Sequence, residues 1–308
     1  MTVAGIDVAH QTLAVAIRTG EKTAKPEEFA NTPSGHQALL TRLTRLTQAG
    51  VARVCLEATG SYHLDLALAL DAGGLALMVV NPKAANRFAE ALMTRTKSDA
   101  VDAAVLAEFA QRMPFEPWQR PDRAALERRA DARRLNALTE ARTQAKNQLH
   151  ALQQSTTTPA LILEEVQLAI DETNARIARL RTAALALIAA EATLQDAFDL
   201  LTSAKGIGAA SAIQLLGELL VLPPDLRAKQ WVAMAGLDPR HATSGTSVNK
   251  KPRLSKAGNR YLRGALHMPA LSATRHDEHV KKLSINYFPI CLAGWCRSDR
   301  DRVVVVSD

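Results

Sequence analysis

The chain has 308 residues, 47% of them apolar, and a formal net charge of +7. That length supports two domains and a sizeable core, and no apolar stretch reaches the roughly 18 uninterrupted residues of a membrane span. The opening residues lack the basic start and small-residue cleavage site of a secretion signal, and the three cysteines have no zinc spacing, which together point to a reduced, cytoplasmic protein.

Taken in chain order, Val3 to Asp7 and Thr12 to Ile17 read as two short strands separated by the polar turn Ala9-His10-Gln11. A third strand is expected near Glu28 to Ala30. Pro33 to Ala49 has helical spacing, with Leu39, Leu40, Leu43 and Leu46 on one side. Val51 to Leu56 is a buried strand that ends at Glu57, and Cys55 within it is a core residue. A helix over His63 to Ala72, a strand over Leu75 to Val80, and helices over Ala84 to Met93 and Asp99 to Gln111 follow. Three strands and then alternating helix and strand is the order of an RNase H-like domain, although periodicity alone supports only α/β.

The proline-bearing stretch from Met113 to Pro121 marks a linker. Beyond it, Leu163, Val166, Ile170, Thr173, Ile177, Leu180, Ala184 and Leu187 recur at alternating steps of three and four, the seam of a coiled coil. Leu135, Leu138, Ala145, Leu149 and Leu152 are spaced similarly on an earlier helix, and Ser155 to Pro159 breaks the two apart. An antiparallel helical hairpin is expected, formed within one chain or as a dimer arm. Lys205-Gly206-Ile207-Gly208 then precedes an apolar helix. Gly206 and Gly208 fit a helix-hairpin-helix turn, whose backbone N–H groups approach a phosphate, and fit a plain helix corner equally well. The expected layout is an RNase H-like domain over 1–113, a helical coiled-coil arm over 122–195, a mainly α domain over 196–276, and an atypical tail over 277–308 that has no helical period from Leu283 on.

Charge is unevenly placed. Between Pro239 and His276 there are eight Lys or Arg and no Asp or Glu, so the remainder of the chain sums to −1. A local patch of this kind suits a polyanionic partner; a merely solvated basic face is the plain alternative. Lys250, Lys251, Arg253, Lys256, Arg260 and Arg263 are candidate phosphate contacts. With three Trp and three Tyr in the whole chain, base stacking does not dominate.

Four acids carry the chemistry. Asp7 and Glu57 each terminate an apolar strand, where α/β sites form. Asp99 and Asp102 are three apart at a helix start and share a face, with Ser98 as N-cap. Each acid alone reads as structural, and Asp99 in particular simply suits a helix N-terminus. As a set they match the donors of two Mg²⁺ ions about 4 Å apart, the arrangement of phosphodiester chemistry.

The motifs Gly5-Ile6-Asp7-Val8, Leu56-Glu57-Ala58-Thr59-Gly60, Val80-Asn81-Pro82 and Thr96-Lys97-Ser98-Asp99-Ala100-Val101-Asp102-Ala103 resemble the DEDD transposases of bacterial insertion sequences, known as bridge-RNA-guided recombinases. Gly206-Ile207-Gly208, Ala235 to Arg240, Ser244 to Ser247, Leu254 to Asn259 and Tyr261-Leu262-Arg263 resemble the same family in the same order, over residues 3 to 276. The resemblance implies a RuvC-like N-terminal domain, a coiled-coil arm and a C-terminal transposase domain. It implies metal bound by Asp7, Glu57, Asp99 and Asp102, and a serine nucleophile at Ser244 that forms a phosphoserine with DNA. It further implies element-end and target DNA, a structured guide RNA, and a homodimer or homotetramer at the bacterial nucleoid. On local chemistry alone Ser244, Thr246, Ser247 and Ser255 are equivalent, and Ser244 rests on the motif match. Two other readings stand beside transposition: a junction-resolving nuclease that uses water, and a decayed nucleic-acid-binding remnant. The tail from Leu283 through the valine run to Asp308 departs from the family and reads as a frameshifted or replaced end.

Overall fold

The first apolar run forms β1 (Thr2–Val8), and a tight turn closed by the Ala9 N–H to the Thr12 carbonyl (2.9 Å) returns the chain as β2 (Thr12–Thr19). The computed structural model describes residues 1–47, 51–58, 60, 62–94, 96, 98–244 and 248–287. β3 (Lys22–Thr23) and β4 (Glu27–Ala30) both pair antiparallel with β2. After α1 (Pro33–Thr47) come β5 (Val51–Glu57), α2 (Tyr62–Ala72), β6 (Leu77–Val80), α3 (Pro82–Ala91) and α4 (Asp99–Arg112). The sheet order is β3-β2-β1-β5-β6, with β1 antiparallel to β2 but parallel to β5, and β5 parallel to β6. An antiparallel set extended by parallel strands through helical crossovers is the arrangement expected of an RNase H-like domain.

Strand alternation sends successive side chains to opposite faces. One face carries Ile6, Leu13 and Leu56 against Leu39 and Leu43 of α1 and Leu66 and Leu70 of α2, all fully buried. Each such leucine contributes about 1.5–3 kcal/mol by leaving water. The other face carries Val3, Ala16, Cys55 and Met78 against Ala103, Leu106, Ala107 and Ala110 of α4. Here the packing is close. A Cβ on Gly5 would stand 2.1 Å from the Ala107 nitrogen and 2.2 Å from the Ala103 oxygen, so only glycine lets α4 lie on β1.

The chain divides into two compact units at Arg120/Pro121. In the second, α5 (Arg123–Gln153) and α6 (Ala160–Ala189) pack antiparallel, with Arg128 on Glu191 (2.9 Å) toward one end and Arg142 on Asn174 (3.3 Å) further along. They pair within one chain. Val166, Ile170, Ala184 and Ile188 are buried on α6, but Leu187 is 48% exposed and Ile188 takes its place. A straight α-helix turns every 3.6 residues and drifts off a strict seven-residue repeat, so the expected seam slips by one position at its end.

α7 (Ala192–Ser203) and α8 (Ala209–Leu219) close onto that helix pair through Leu194, Ile213 and Leu216. α9 (Ala228–Met234), the hairpin β7 (Pro239–Ser244) and β8 (Val248–Leu254), α10 (Arg260–His276) and α11 (Glu278–Tyr287) complete the unit. The region read as mainly α also carries the β7–β8 hairpin. One expectation needs correction: the tail read as lacking helical period from Leu283 is helical at its start, because α11 runs through Leu283 to Tyr287, with its Val280 N–H capped by Asp277 (3.0 Å). Among the described residues no helix is long and apolar enough to cross a membrane.

Candidate active site

Register places the first two acids. β1 and β5 run parallel with Ile6 beside Leu56, so the next step puts Asp7 beside Glu57 at the carboxyl ends of both strands. Alternation assigns both to the α4 face, since Gly5 meets α4 directly and Cys55 packs against it.

The direction of α4 brings in the other two. At its far end Gln111 accepts from the Arg18 Nε (2.6 Å), and Arg18 pairs with Val3 at the start of β1. Ala103 lies against Gly5. The helix therefore runs antiparallel to β1, and its N-terminus lies at the Asp7 end. Asp99 and Asp102 extend the stripe of Ala103, Leu106 and Ala110 by one turn toward that end. Ser98 caps the helix by accepting from the Val101 N–H (3.4 Å), and the positive end of the helix dipole faces the acids.

Electrostatics report the convergence. The Asp7 carboxyl is raised from 3.8 to about 6, first by burial and then by Asp99, Asp102 and Glu57, partly opposed by the Val8 N–H. All three other acids act on Asp7, and among the described residues no cation does. Burial raises the Cys55 thiol to about 12, with Glu57 adding to it, which keeps it neutral core.

The donor set is chemically that of a hard divalent cation: carboxylate oxygens, one of them harder to ionise than usual through burial and its acidic neighbours. Its geometry is not closed. Among the described residues no three His, Cys, Asp or Glu side chains stand close enough to hold one ion. Asp99 is exposed and Asp102 and Glu57 are half-buried, so the side chains have room to turn inward.

Residues the sequence did not single out build the rim. Asn31 donates to the Ala9 carbonyl (2.8 Å) and the Tyr62 carbonyl (3.4 Å), joining the loop after β1 to the start of α2, while its oxygen meets the His36 Nε2 (2.7 Å). There the exposed His10 and Tyr62 rings meet edge to face at 5.2 Å. No sequence signal marked them; a lone Asn before a helix reads as a cap.

The remaining candidates belong to the second unit. Ser244 ends β7 opposite Val248, and its side chain, with those of Lys250 and Lys251, lies outside the described residues. Ser255 is distinguished from Ser244 by its bonds: it donates to Asp238 (2.5 Å) and accepts from the Ala257 N–H (3.3 Å). Arg253 and Lys256 are exposed. Arg260 donates to the Tyr261 hydroxyl (3.0 Å), and Arg263 donates to the Ala235 carbonyl (2.8 Å), which ends α9. Gly206 has φ +100, and a Cβ there would meet the Pro269 oxygen at 2.5 Å, so this glycine seats α10. Gly208 has open space around it and leaves the N-terminus of α8 without a side-chain cap.

A family model described as "Transposase", of the DEDD type, matches residues 4–157, half of the chain. A second, described as "Transposase IS116/IS110/IS902 family", matches residues 198–284, eight residues past His276. These two matches, in chain order on an α/β unit and the unit after it, define a transposase. The chain belongs to the IS116/IS110/IS902 family of transposases. It is 29% identical over 282 residues to the pilin gene-inverting protein of Moraxella lacunata, covering 88% of this chain and 82% of that one. The same protein of Moraxella bovis is 28% identical over 278 residues, with the same coverage. Among solved structures, Thermus thermophilus RuvC in complex with Holliday junction substrate aligns over 38% of this chain and 99% of its own, at TM-score 0.31 and 16% identity. A second T. thermophilus RuvC structure aligns at TM-score 0.30 and 18% identity, over 38% of this chain and all of its own.

Proposed function

We propose that this chain cuts and rejoins DNA strands as the recombinase of an insertion element, with Asp7, Glu57, Asp99 and Asp102 as the acids of the reaction. The observation that carries the reading is the convergence at Asp7, on which burial and three other carboxylates act together. A fold keeps such repulsion where a site needs it. The four acids would hold Mg²⁺, which when bound neutralises charge on the attacked phosphate and on the leaving oxygen.

In this reading the Ser244 oxygen attacks a backbone phosphorus, one P–O bond breaks, and the strand is retained as a phosphoserine. The hydroxyl of an exchanged strand then displaces the serine and restores a phosphodiester. Arg253, Lys256 and the neighbouring basic residues hold the DNA backbone. A homodimer or homotetramer supplies the sites for both DNA partners, and a structured RNA from the element's non-coding end selects them by base pairing.

The test is strand exchange between plasmids carrying element end and target, with purified chain, Mg²⁺ and the flanking transcript. The expected result is recombinant product that requires both metal and RNA, and a protein–DNA adduct that disappears in Ser244→Ala. Cutting that persists unchanged in Ser244→Ala would instead identify a nuclease that uses water, and binding without any cutting would identify a decayed remnant.

A further inference from the structure

The β7–β8 hairpin holds a charge arrangement that the fold itself does not explain. Its register sets Pro239 opposite Leu254 and Arg240 opposite Arg253. Leu254 packs against the cluster of Leu215, Ala235, Leu237, Leu262 and Ala265. By alternation Arg240 and Arg253, one position along, face away from that core, and both are exposed. Directly opposed side chains on an antiparallel pair have Cβ atoms about 4.5–5.5 Å apart, and like charges there repel.

Nothing described relieves the repulsion. Among the described residues neither guanidinium forms an ion pair or a side-chain hydrogen bond. Asp238, the nearest acid along the chain, accepts from Ser255 (2.5 Å), and the sequence from Pro239 to His276 contains no other.

The base of the hairpin is pinned. Besides the Asp238–Ser255 bond, Arg263 holds the Ala235 carbonyl (2.8 Å). Gly236 has φ +66 and presses on Gly258, where a Cβ would stand 2.4 Å from the Gly236 nitrogen. The two arginines therefore project from a fixed platform, a small step from its anchoring bonds. Two guanidinium forks at cross-strand distance match the oxygens of one phosphodiester, which would bridge them and cancel their repulsion.

We propose that Arg240 and Arg253 form a two-armed clamp on a single backbone phosphate of duplex DNA. The proposal rests on the reading of the chain as a DNA recombinase and names the group that the hairpin holds. Duplex DNA is favoured over RNA by shape: a two-stranded ribbon enters the B-form major groove, about 12 Å wide, whereas the A-form major groove is too narrow.

The test is fluorescence anisotropy of the full chain on a labelled 30-base-pair duplex of arbitrary sequence and on an RNA hairpin, across 50–300 mM salt. Arg240→Gln and Arg253→Gln should each weaken duplex binding several-fold. Because both arms hold one phosphate, either single variant leaves an arm on it and should lower the salt slope by less than one, and the double variant should lower it by about one. Arg240→Glu, which places a carboxylate opposite Arg253, should melt at the same or a higher temperature while binding duplex at least tenfold more weakly. Wild-type binding left intact by these substitutions would overturn the clamp alone, as would a loss confined to the RNA hairpin. A slope that falls by two in the double variant would overturn the shared phosphate. Failure of the wild-type chain to bind either nucleic acid would overturn the recombinase reading and the clamp with it.

Discussion

Glu218 and Asp7 are both carboxylates drawn into the protein, and the two units treat them in opposite ways. Glu218, 2% exposed on α8, is met by two bonds from Arg133 (2.6 and 3.0 Å) and one from Asn259 (2.5 Å). Arg133 in turn lies over the Tyr261 ring at 4.4 Å. Its charge is matched within the chain, and the network joins α5, α8 and the start of α10. Asp7 receives the reverse: burial, and the fields of three more acids. A buried charge that the chain neutralises is part of the scaffold. A carboxylate set against its own kind is held for something from outside.

Neutralising Asp7 should separate the two cases most sharply. Asp7→Asn should reduce strand exchange by about a thousandfold or more, roughly 4 kcal/mol of transition-state stabilisation. Its melting temperature in chelator should stay level or rise, because one member of a repelling set is gone. A melting temperature that falls instead would put Asp7 in the same class as Glu218 and end the contrast.

Breaking the matched network should do the opposite. Arg133→Met leaves Glu218 buried without its principal partner and should destabilise the protein by about 3 kcal/mol or more, read from denaturant unfolding. Any strand exchange that remains in the folded fraction should keep its normal metal dependence. Next in size is Gly5→Ala, which drives a methyl group into the α4 backbone. It should cost about 1–3 kcal/mol and weaken the thermal stabilisation by Mg²⁺, because Asp99 and Asp102 move with the helix.

The smallest effect is the dependence on pH. The folded carboxyl of Asp7 titrates near 6 and the unfolded one near 3.8, so the folded state holds an extra proton between those values. The resulting stability is complete below 3.8 and is lost as pH rises through 6. In chelator, the melting temperature of the wild type relative to Asp7→Asn should therefore decline from pH 4.5 to pH 7. A constant difference would mean that neither burial nor the other acids raise the Asp7 carboxyl.

Much of this site could be read from the chain, for a local reason. Asp7 and Glu57 close apolar strands, and Asp99 and Asp102 sit three apart behind a capping serine; each is a short-range pattern. What brings them together is long-range. The parallel register of β1 and β5 spans some fifty residues, and Gly5 looks like any strand glycine until Ala103 and Ala107 lie against it. Glu218 did leave a trace, a charge inside the apolar run of α8, but its partner is 85 positions away. The β7–β8 hairpin lacks the clean alternation of a half-buried strand, because basic residues occupy it. α11 was hidden by the change in sequence character after His276.

Asn259 shows how few side chains can hold this arrangement. Its oxygen accepts from the Tyr261 (2.9 Å) and Leu262 (3.3 Å) N–H groups and so starts α10, while its nitrogen donates to Glu218. The amide carries its acceptor and its donor on two separate atoms at the end of one short stem. Aspartate would still start the helix but would set a second negative charge against Glu218. Serine or threonine would start it too, with a hydroxyl that lacks the reach of the amide nitrogen. Glutamine carries both groups one methylene too far. Position 259 is thus a two-ended coupling whose chemistry forbids gradual replacement: a change there requires a simultaneous change at Glu218, and through it at Arg133.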